Sequence, residues 1–384
     1  MALKIAARGQ VAPFMVMDVM RAANQREAAH QAVYHLEVGQ PGAGAPQGVL
    51  DAAAQALSAD RLGYTDALGI APLRDAIAHY YRDYYGLGID SGRIVVTTGS
   101  SGGFVLAFLS VFDAGDRVAI AAPGYPCYRT ILSAFGVEPV ELMAGADERF
   151  QPTPALLERA QRDGPLDGLI VASPSNPTGT MLPTAEFRAL ATYCDSHGIR
   201  MISDEIYHGI TYDRKADSAL AFTDDALIIN SFSKYFSMTG WRIGWMVVPA
   251  NLVRTMECLA QNLFISAPTL SQFAALAAFD YRAEFDARVA GYNTNRQLLL
   301  DALPKAGFSK LAPADGAFYI YADIGDLTND SESFCRRLLG ETGVALTPGL
   351  DFDRERGARF IRISYAESED VIRGAAEALI GWKR

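Results

Sequence analysis

The chain has 384 residues and 50% of them are hydrophobic, so it is long enough for two domains and can bury a sizeable core. Its 34 basic and 44 acidic residues give a formal net charge of −10, which argues against nucleic acid or an anionic membrane as the main partner. The four cysteines lack C-x-x-C spacing and no apolar run could span a bilayer, so the composition predicts a cytoplasmic globular protein with neither a disulfide framework nor a zinc site.

The first part of the chain is predicted to combine helices with glycine-rich loops. Residues 33–38 form a predicted strand that ends in Gly-Gln-Pro-Gly-Ala-Gly, residues 39–44, where backbone can approach a ligand closely. A flexible connector is the alternative for this loop. Tyr64 also falls on a predicted loop, where a tyrosine is usually only a surface residue. Helices are predicted over residues 11–20, 46–58 and 72–85.

A strand, a small-residue turn and a helix follow one another at residues 94–112. The turn, Gly-Ser-Ser-Gly-Gly at residues 99–103, precedes the predicted helix over residues 104–112. Free backbone amides and the helix dipole point at one spot in such an arrangement, so it predicts an anion site. The turn matches neither G-x-G-x-x-G nor a Walker loop, which disfavours nucleotide binding.

The middle of the chain alternates apolar strands with helices. Strands are predicted over residues 117–121, 137–142, 169–172, 200–203, 226–229 and 243–248, and helices over residues 150–162 and 183–197. Continuously apolar strands are typical of a parallel sheet covered on both faces, and functional residues of such sheets lie at strand ends. Asp204 lies at one of these ends, where a carboxylate must be paired because a buried uncompensated charge is costly.

Lys234 lies between two predicted buried strands. A charged lysine is costly to bury there, so its amine is expected to be neutralised, paired or covalently used. Ser231 and Ser233 precede it and Arg242 follows, a set of hydroxyls and a guanidinium that suits a phosphate. An amine beside a phosphate anchor is the arrangement that a pyridoxal phosphate enzyme needs. A strand end with a surface lysine is the plainer alternative.

The C-terminal part is predicted to form a second domain. Helical residues dominate residues 251–280, and residues 281–303 are predicted to form one long helix. The later predicted elements are strands over residues 317–323, 344–346 and 359–363 and a closing helix over residues 367–382 that is acidic at its start and basic at its end. Period-two alternation places Arg362 opposite Ile361 and Ile363, for which a solvated sheet face is the ordinary explanation. The predicted division is residues 1–45 for an arm and part of the small domain, 46–280 for the large domain and 281–384 for the small domain.

The S-x-S-K motif at residues 231–234, with Gly240, Arg242 and Gly244 beyond it, resembles the lysine signature of the class I and II aminotransferases. These are fold-type-I pyridoxal phosphate enzymes related to aspartate aminotransferase. Matching motifs run from Gly39 to Arg362 in the family order. The resemblance implies an α/β fold: a large domain with a mostly parallel, doubly wound sheet carries the cofactor, and a smaller α+β domain is built from the N-terminal arm and the C-terminal segment.

The resemblance also implies pyridoxal 5′-phosphate as the cofactor and a role for each matching residue. Lys234 is the residue that forms an imine with the cofactor and then moves the α-proton. Asp204 pairs with the pyridine nitrogen, and Tyr207 and Asn176 bond to the phenolic oxygen. Tyr125 stacks on the ring, although packing would be its ordinary role. The phosphate contacts implied are Ser100, Ser101, Ser231, Ser233, Arg242 and, from a neighbouring subunit, Tyr64, so that the active site needs a homodimer.

The substrate contacts implied are the Gly39 backbone, Asn176 and Arg362, whose guanidinium clamps the α-carboxylate. A cis bond is implied before Pro177, where an ordinary Asn-Pro turn is the alternative. The predicted reaction is ping-pong transfer of an amino group between an L-amino acid and a 2-oxo acid.

Two other functions stay open at this point. A lyase, decarboxylase or synthase would use the same cofactor residues, because these set ring binding and not which bond breaks. A regulator with an aminotransferase-like domain is disfavoured, because the sequence begins almost directly with the arm helix. Some relatives selective for dicarboxylates hold the distal carboxylate with a basic side chain near the Gly99 loop, where this chain has Ser100 and Ser101, which counts against specificity for aspartate. Alanine, branched and aromatic substrates are all compatible, with Phe14, Gln40 and Phe264 as candidate pocket residues.

Overall fold

The computed structural model describes residues 3–382. The helices are α1 Met15–Ala28, α2 Gln47–Ala59, α3 Ala71–Tyr85, α4 Gly99–Val111, α5 Pro126–Phe135, α6 Pro154–Ala160, α7 Thr184–His197, α8 Val253–Leu263, α9 Thr269–Ala278, α10 Arg282–Ala302, α11 Ser331–Thr342 and α12 Glu369–Gly381. The strands are β1 Tyr34–His35, β2 Ile94–Thr97, β3 Arg117–Ala122, β4 Glu138–Met143, β5 Gly168–Ala172, β6 Arg200–Asp204, β7 Leu227–Ser231, β8 Gly244–Val247, β9 Lys310–Leu311, β10 Tyr319–Asp323, β11 Val344–Ala345, β12 Thr347–Pro348 and β13 Phe360–Ser364.

Seven strands form the central sheet, in the order β2-β8-β7-β6-β5-β3-β4. Only β8 runs antiparallel to its neighbours, and the other pairs from β7 to β4 are parallel. Successive residues of β7 pack into different hydrophobic clusters, Ile228 into one and Ile229 into the other. Because each face of the sheet buries its own cluster, the strands are apolar at every position. The predicted α/β fold is therefore confirmed.

The chain's two ends meet in smaller sheets. β12, β13, β10 and β9 form an antiparallel sheet, and β1 pairs in parallel with β11, with Tyr34 opposite Val344. The N-terminal arm and the C-terminal segment thus share structure, as the resemblance implied. The division into independent domains at residues 45 and 280 stays a prediction.

Several predicted elements were wrong in extent. The predicted strand over residues 33–38 is only the two-residue β1, and the turn at residues 99–103 is the first turn of α4. The helix predicted over residues 150–162 begins only at Pro154, because Arg149 and Phe150 have positive φ angles that a helix does not accommodate.

Two helices were not predicted at all. α5 begins at Pro126 and ends at Gly136 in the left-handed conformation, a proline start and glycine stop that were visible in the sequence. α11 was also missed. α12 ends at Gly381, and the basic residues expected at its end, Lys383 and Arg384, lie outside the described part of the chain. Within residues 3–382, no helix combines the length and apolarity needed to cross a bilayer.

Candidate active site

A cavity of about 200 Å³ opens at the carboxyl ends of β5, β6 and β7. Ala172 and Asp204 end the first two of these strands, and Lys234 follows the third. Strands that run in parallel present their carboxyl ends at one edge, which is where open α/β sheets bind ligands. The predicted site residues that line the cavity are Gly39, Ser100, Ser101, Tyr125, Asn176, Asp204, Tyr207, Ser233, Lys234, Arg242 and Arg362.

The Lys234 amine lies inside this cavity beside two guanidinium groups. Its Nζ donates a hydrogen bond to the Gly39 carbonyl at 2.5 Å and lies 5.8 Å from the centroid of the Tyr207 ring. Burial, together with the positive charges of Arg362 and Arg242, lowers the pKa of Lys234 to about 8. A substantial fraction of the amine is therefore neutral near physiological pH, as a nucleophile requires.

Asp204 is buried at the carboxyl end of β6 and forms no ion pair within residues 3–382. Its Oδ2 accepts a hydrogen bond from the Tyr128 hydroxyl, and its Oδ1 accepts one from the Ile206 backbone N–H at 3.1 Å. Burial raises the pKa of Asp204 to about 6, against these hydrogen bonds and the charge of Lys234, which lower it. A carboxylate in this state can accept a proton from, or pair with, a cationic ring nitrogen.

Arg362 is only 2% exposed, so the solvated sheet face is excluded. Its Nη1 donates to Asn176 Oδ1 at 2.9 Å, and its Nη2 donates to the Glu37 carbonyl and to Thr347 Oγ1. The buried Nε has no hydrogen-bond partner in the described chain, which leaves donor capacity for a carboxylate. The Asn176–Pro177 peptide bond is cis, which confirms the implied geometry of this turn.

Arg242 and the start of α4 form a cradle for an anion. Arg242 has a left-handed backbone, and a Cβ placed on Gly99 would lie 2.6 Å from its Nη2 atom. The guanidinium therefore lies directly against the first turn of α4, which contains Ser100 and Ser101. Backbone amides, hydroxyls and a guanidinium together are a donor set that suits phosphate.

Two predicted site residues do not line the cavity. Ser231 is 1% exposed, and its hydroxyl lies 2.8 Å from Ser233 Oγ and 3.0 Å from the Ile243 carbonyl. It therefore contacts Ser233, which lines the cavity, without lining the cavity itself. Tyr64 is 85% exposed on the loop between α2 and α3. Its contact with a neighbouring subunit stays a prediction.

Known proteins match this chain over nearly its whole length. The family model for aminotransferase class I and II matches residues 32–379. A valine–pyruvate aminotransferase from Mycobacterium tuberculosis is 51% identical over 383 residues, 99% of this chain and 98% of the relative. The chain belongs to the class I and II aminotransferases.

Solved structures agree with this assignment. A crystal structure of an aminotransferase from Mycobacterium tuberculosis superposes on this aminotransferase with a TM-score of 0.97 at 51% identity, covering 99% of both chains. An aspartate aminotransferase from Thermus thermophilus, solved with maleate, superposes with a TM-score of 0.91 at 31% identity, again covering 99% of both chains. The predicted enzyme class and fold are therefore confirmed.

The cavity of this aminotransferase fits pyridoxal phosphate, on which the family generally depends. The fit rests on the donor set: the cradle at Arg242 for a phosphate, the amine of Lys234 for an aldehyde and the carboxyl of Asp204 for a ring nitrogen. The unpartnered Nε of Arg362 is the remaining buried donor, which suits the carboxylate of a substrate.

The sequence did not single out several residues that the aminotransferase brings to its cavity. Tyr128 and Tyr319 both line it, as do Val16, Met17 and the predicted Phe14 from the N-terminal arm. Tyr128 lies three residues after Tyr125 on α5, so predicting that helix would have placed both rings together. The other two candidate pocket residues, Gln40 and Phe264, do not line the cavity.

Proposed function

We propose that this aminotransferase depends on pyridoxal phosphate and transfers an amino group between a neutral aliphatic L-amino acid and a 2-oxo acid by ping-pong kinetics. The observation that carries the proposal is the cavity at the strand ends. There a lysine with a lowered pKa, a buried aspartate, an anion cradle and a buried arginine surround one space of about 200 Å³.

Each side chain has a distinct role in this proposal. Bound pyridoxal phosphate supplies an electron sink for negative charge that develops at the α-carbon of the substrate. Lys234 would attach the cofactor covalently, and its Nζ, once released, would take the α-proton and return it. Asp204 would hold a proton at the ring nitrogen, Tyr207 would donate to the phenolic oxygen, and Arg362 would bind the α-carboxylate.

The remaining contacts proposed for the cofactor belong to residues at the edges of the cavity. Asn176 would donate to the phenolic oxygen, and Tyr125 would pack on the ring. The cradle would hold the phosphate through Ser100, Ser101, Ser233 and Arg242, with Ser231 in support.

A neutral substrate side chain is favoured by the charges of the cavity. Its cationic lining residues within the described chain are Lys234, Arg242 and Arg362, and each already has a role. Among residues 3–382, no lining cation remains for a second carboxylate, whereas Phe14, Val16, Met17 and Val38 offer apolar walls. The relative named a valine–pyruvate aminotransferase supports the same class of substrate.

We also propose that the enzyme is a homodimer in which Tyr64 completes the phosphate site of the partner subunit. The base of the Tyr64 loop is held firmly, because Thr269 Oγ1 donates to the Gly63 carbonyl at 2.7 Å and Gln272 Nε2 donates to Thr65 Oγ1 at 3.0 Å. An aromatic ring held in solvent by a fixed loop is typical of an interface residue.

Borohydride reduction tests the attachment residue. Reduced holoenzyme should carry one cofactor per chain by intact mass, and the exposed-lysine control Lys305→Ala should behave in the same way. Lys234→Ala should lose the borohydride-fixed cofactor and all measurable transamination. Full transamination by Lys234→Ala would overturn the assignment.

A donor panel tests the reaction and its substrate. Valine, alanine, phenylalanine and aspartate would each be combined with pyruvate and 2-oxoglutarate. We expect kcat/KM for valine to exceed that for aspartate on the order of 100-fold, because an unpaired second carboxylate would be buried against apolar walls. Release of ammonia or carbon dioxide without transfer of the amine would instead indicate a lyase or a decarboxylase.

A further inference from the structure

We propose that Tyr319 is a positioning residue that couples the two halves of the active site: its hydroxyl orients Tyr207 towards the cofactor, and its ring fixes the plane of Arg362 for the substrate carboxylate. The proposal rests on the proposed function, because it assigns Tyr207 to the cofactor and Arg362 to the substrate. Tyr319 lies on β10 and is 1% exposed.

The register of the small sheet places Tyr319 beside Arg362. Tyr321 of β10 is directly opposite Arg362 of β13, and Tyr319, two residues away, is on the same face. The Arg362 guanidinium carbon lies 4.5 Å from the centroid of the Tyr319 ring and 4.8 Å from that of Phe352. The guanidinium therefore packs against two aromatic rings, which restrict the directions in which its donors can point.

The Tyr319 hydroxyl meets two other parts of the site. It lies 2.7 Å from the Tyr207 hydroxyl. A Cβ placed on Gly39 would lie 1.9 Å from the same Tyr319 oxygen, so the loop approaches it only because residue 39 has no side chain. The Gly39 carbonyl in turn accepts the hydrogen bond from Lys234.

Each tyrosine hydroxyl has one hydrogen, and this determines which of the two donates in the hydrogen bond between Tyr207 and Tyr319. Burial raises the pKa of both hydroxyls above the usual value, so each carries its single hydrogen at neutral pH. If Tyr207 donates that hydrogen to the phenolic oxygen of the cofactor, it can only accept from Tyr319. Such acceptance polarises the Tyr207 O–H bond and makes it a stronger donor.

Substitutions can separate the two roles of Tyr319. Tyr319→Phe removes the hydroxyl and keeps the ring over Arg362, whereas Tyr319→Leu removes both. Tyr321→Phe is the matched control, because it makes the same chemical change on the same strand and face and its buried hydroxyl has no partner in the described chain. The other titratable or charged side chains that line the cavity are unchanged in all three variants: Tyr125, Tyr128, Asp204, Tyr207, Lys234, Arg242 and Arg362.

The first readout is the pH midpoint of the bound cofactor's absorption band, measured without substrate. A donor at the phenolic oxygen stabilises the negative charge of the alkaline form, so weakening Tyr207 should raise the midpoint. Because Tyr319→Phe loses the hydrogen bond from Tyr319 to Tyr207, we expect the absorption midpoint to rise by about 0.5 to 1 pH unit in this variant. We expect no change of the midpoint in Tyr321→Phe.

The second readout is the dissociation constant of 3-methylbutanoate, a carboxylate with the shape of valine and no amino group. We expect a value within about twofold of wild type for Tyr319→Phe and an increase of about tenfold for Tyr319→Leu. Only the leucine variant removes the aromatic ring that packs against Arg362.

An unshifted absorption midpoint in Tyr319→Phe, or equal carboxylate binding by the Phe and Leu variants, would overturn the inference alone. Wild-type protein without a cofactor band would overturn the proposed function and the inference together. The Phe variant keeps the buried ring, so it tests the hydroxyl even if Tyr319→Leu does not fold.

Discussion

Asp204 and Glu205 are adjacent buried acids at the carboxyl end of β6, and within residues 3–382 neither has a lysine or arginine partner. Glu205 Oε1 accepts hydrogen bonds from Ser218 Oγ and the Ala219 N–H, and its Oε2 has no hydrogen-bond partner in that range. Burial raises the pKa of Asp204 to about 6 and that of Glu205 to about 8. The protein without cofactor therefore keeps protons that the unfolded chain has already released, and its free energy of unfolding falls as pH rises through this interval.

Glu205→Gln should remove the part of this decrease in unfolding free energy that is caused by the deprotonation of Glu205. Burial also lowers the pKa of His208 to about 4 and that of Lys234 to about 8, so both residues make the free energy of unfolding rise with pH in part of this range. These contributions are common to wild type and Glu205→Gln and cancel in the difference between them. Between pH 6.5 and 8.5 we therefore expect the unfolding free energy of the wild-type apoenzyme to fall by about 2 kcal/mol relative to that of Glu205→Gln. Urea unfolding measures this, with the exposed Glu377→Gln as control. Parallel pH profiles for wild type and Glu205→Gln would contradict the assignment.

The lowered pKa of Lys234 should control how the apoenzyme takes up its cofactor. Only the neutral amine attacks an aldehyde, so the rate of covalent uptake should rise with pH with a midpoint near 8. Arg362→Gln should move this midpoint to higher pH, because Arg362 is the largest charge that lowers the pKa. Stopped-flow absorbance would follow the reaction.

The control for this shift is Arg359→Gln, which removes an equal charge just before β13, where Arg359 pairs with Asp323 outside the cavity. A midpoint that stays the same in Arg362→Gln, or that moves equally in Arg359→Gln, would count against the electrostatic cause.

Among the elements, the loop after β1 depends on a glycine for its closest approach. Gly39→Ala would place a methyl group 1.9 Å from the Tyr319 hydroxyl, so the loop must move away from Lys234 and Arg362. We expect kcat/KM to fall on the order of 100-fold, since misplaced site groups lose effective orientation. Gly44→Ala is the control in the same loop, because a Cβ there meets nothing within 4 Å. Steady-state kinetics of both variants test this, and equal activity would exclude the steric argument.

The sequence predicted the reactive residues of the cavity better than it predicted the residues whose position depends on tertiary packing. Asp204 and Lys234 could be predicted because a charge at the end of an apolar strand demands a partner or a use. Arg362 could not be placed by alternation, because both faces of β13 are buried and the period-two pattern carries no solvent signal. Tyr319 lacked a signal for a different reason, since its importance depends on the register between β10 and β13. Registers between distant strands are set by tertiary packing that a single sequence does not display.

At the scale of the whole molecule, the cavity depends on contacts between distant parts of the chain. Arg362 donates to Asn176 in the turn after β5, and Thr347 Oγ1 donates to the Glu37 carbonyl at 2.8 Å. Asp351 accepts hydrogen bonds from the Met15 and Val16 backbone N–H groups and so caps the start of α1, whose residues line the cavity. The cavity therefore combines residues from the N-terminal segment, the central sheet and the C-terminal segment.

The proposed homodimer can be tested by combining two different variant chains in one dimer. If Tyr64 serves the partner's phosphate site, a heterodimer of a Lys234→Ala chain and a Tyr64→Ala chain contains one intact site, built from Lys234 of one chain and Tyr64 of the other. Two affinity tags would isolate this heterodimer, and its activity should reach about half that of wild type. Each parent homodimer should be much less active.

Arg242 supplies the matched control, because it lines the cavity of its own chain. A heterodimer of Lys234→Ala and Arg242→Ala chains has one site without the amine and another without the guanidinium, so activity should not return. If the Tyr64 heterodimer is no more active than half of the Tyr64→Ala homodimer, then Tyr64 acts within its own subunit or not at all. Recovery in the first pair without recovery in the second is expected only when the tyrosine crosses between subunits while the arginine does not.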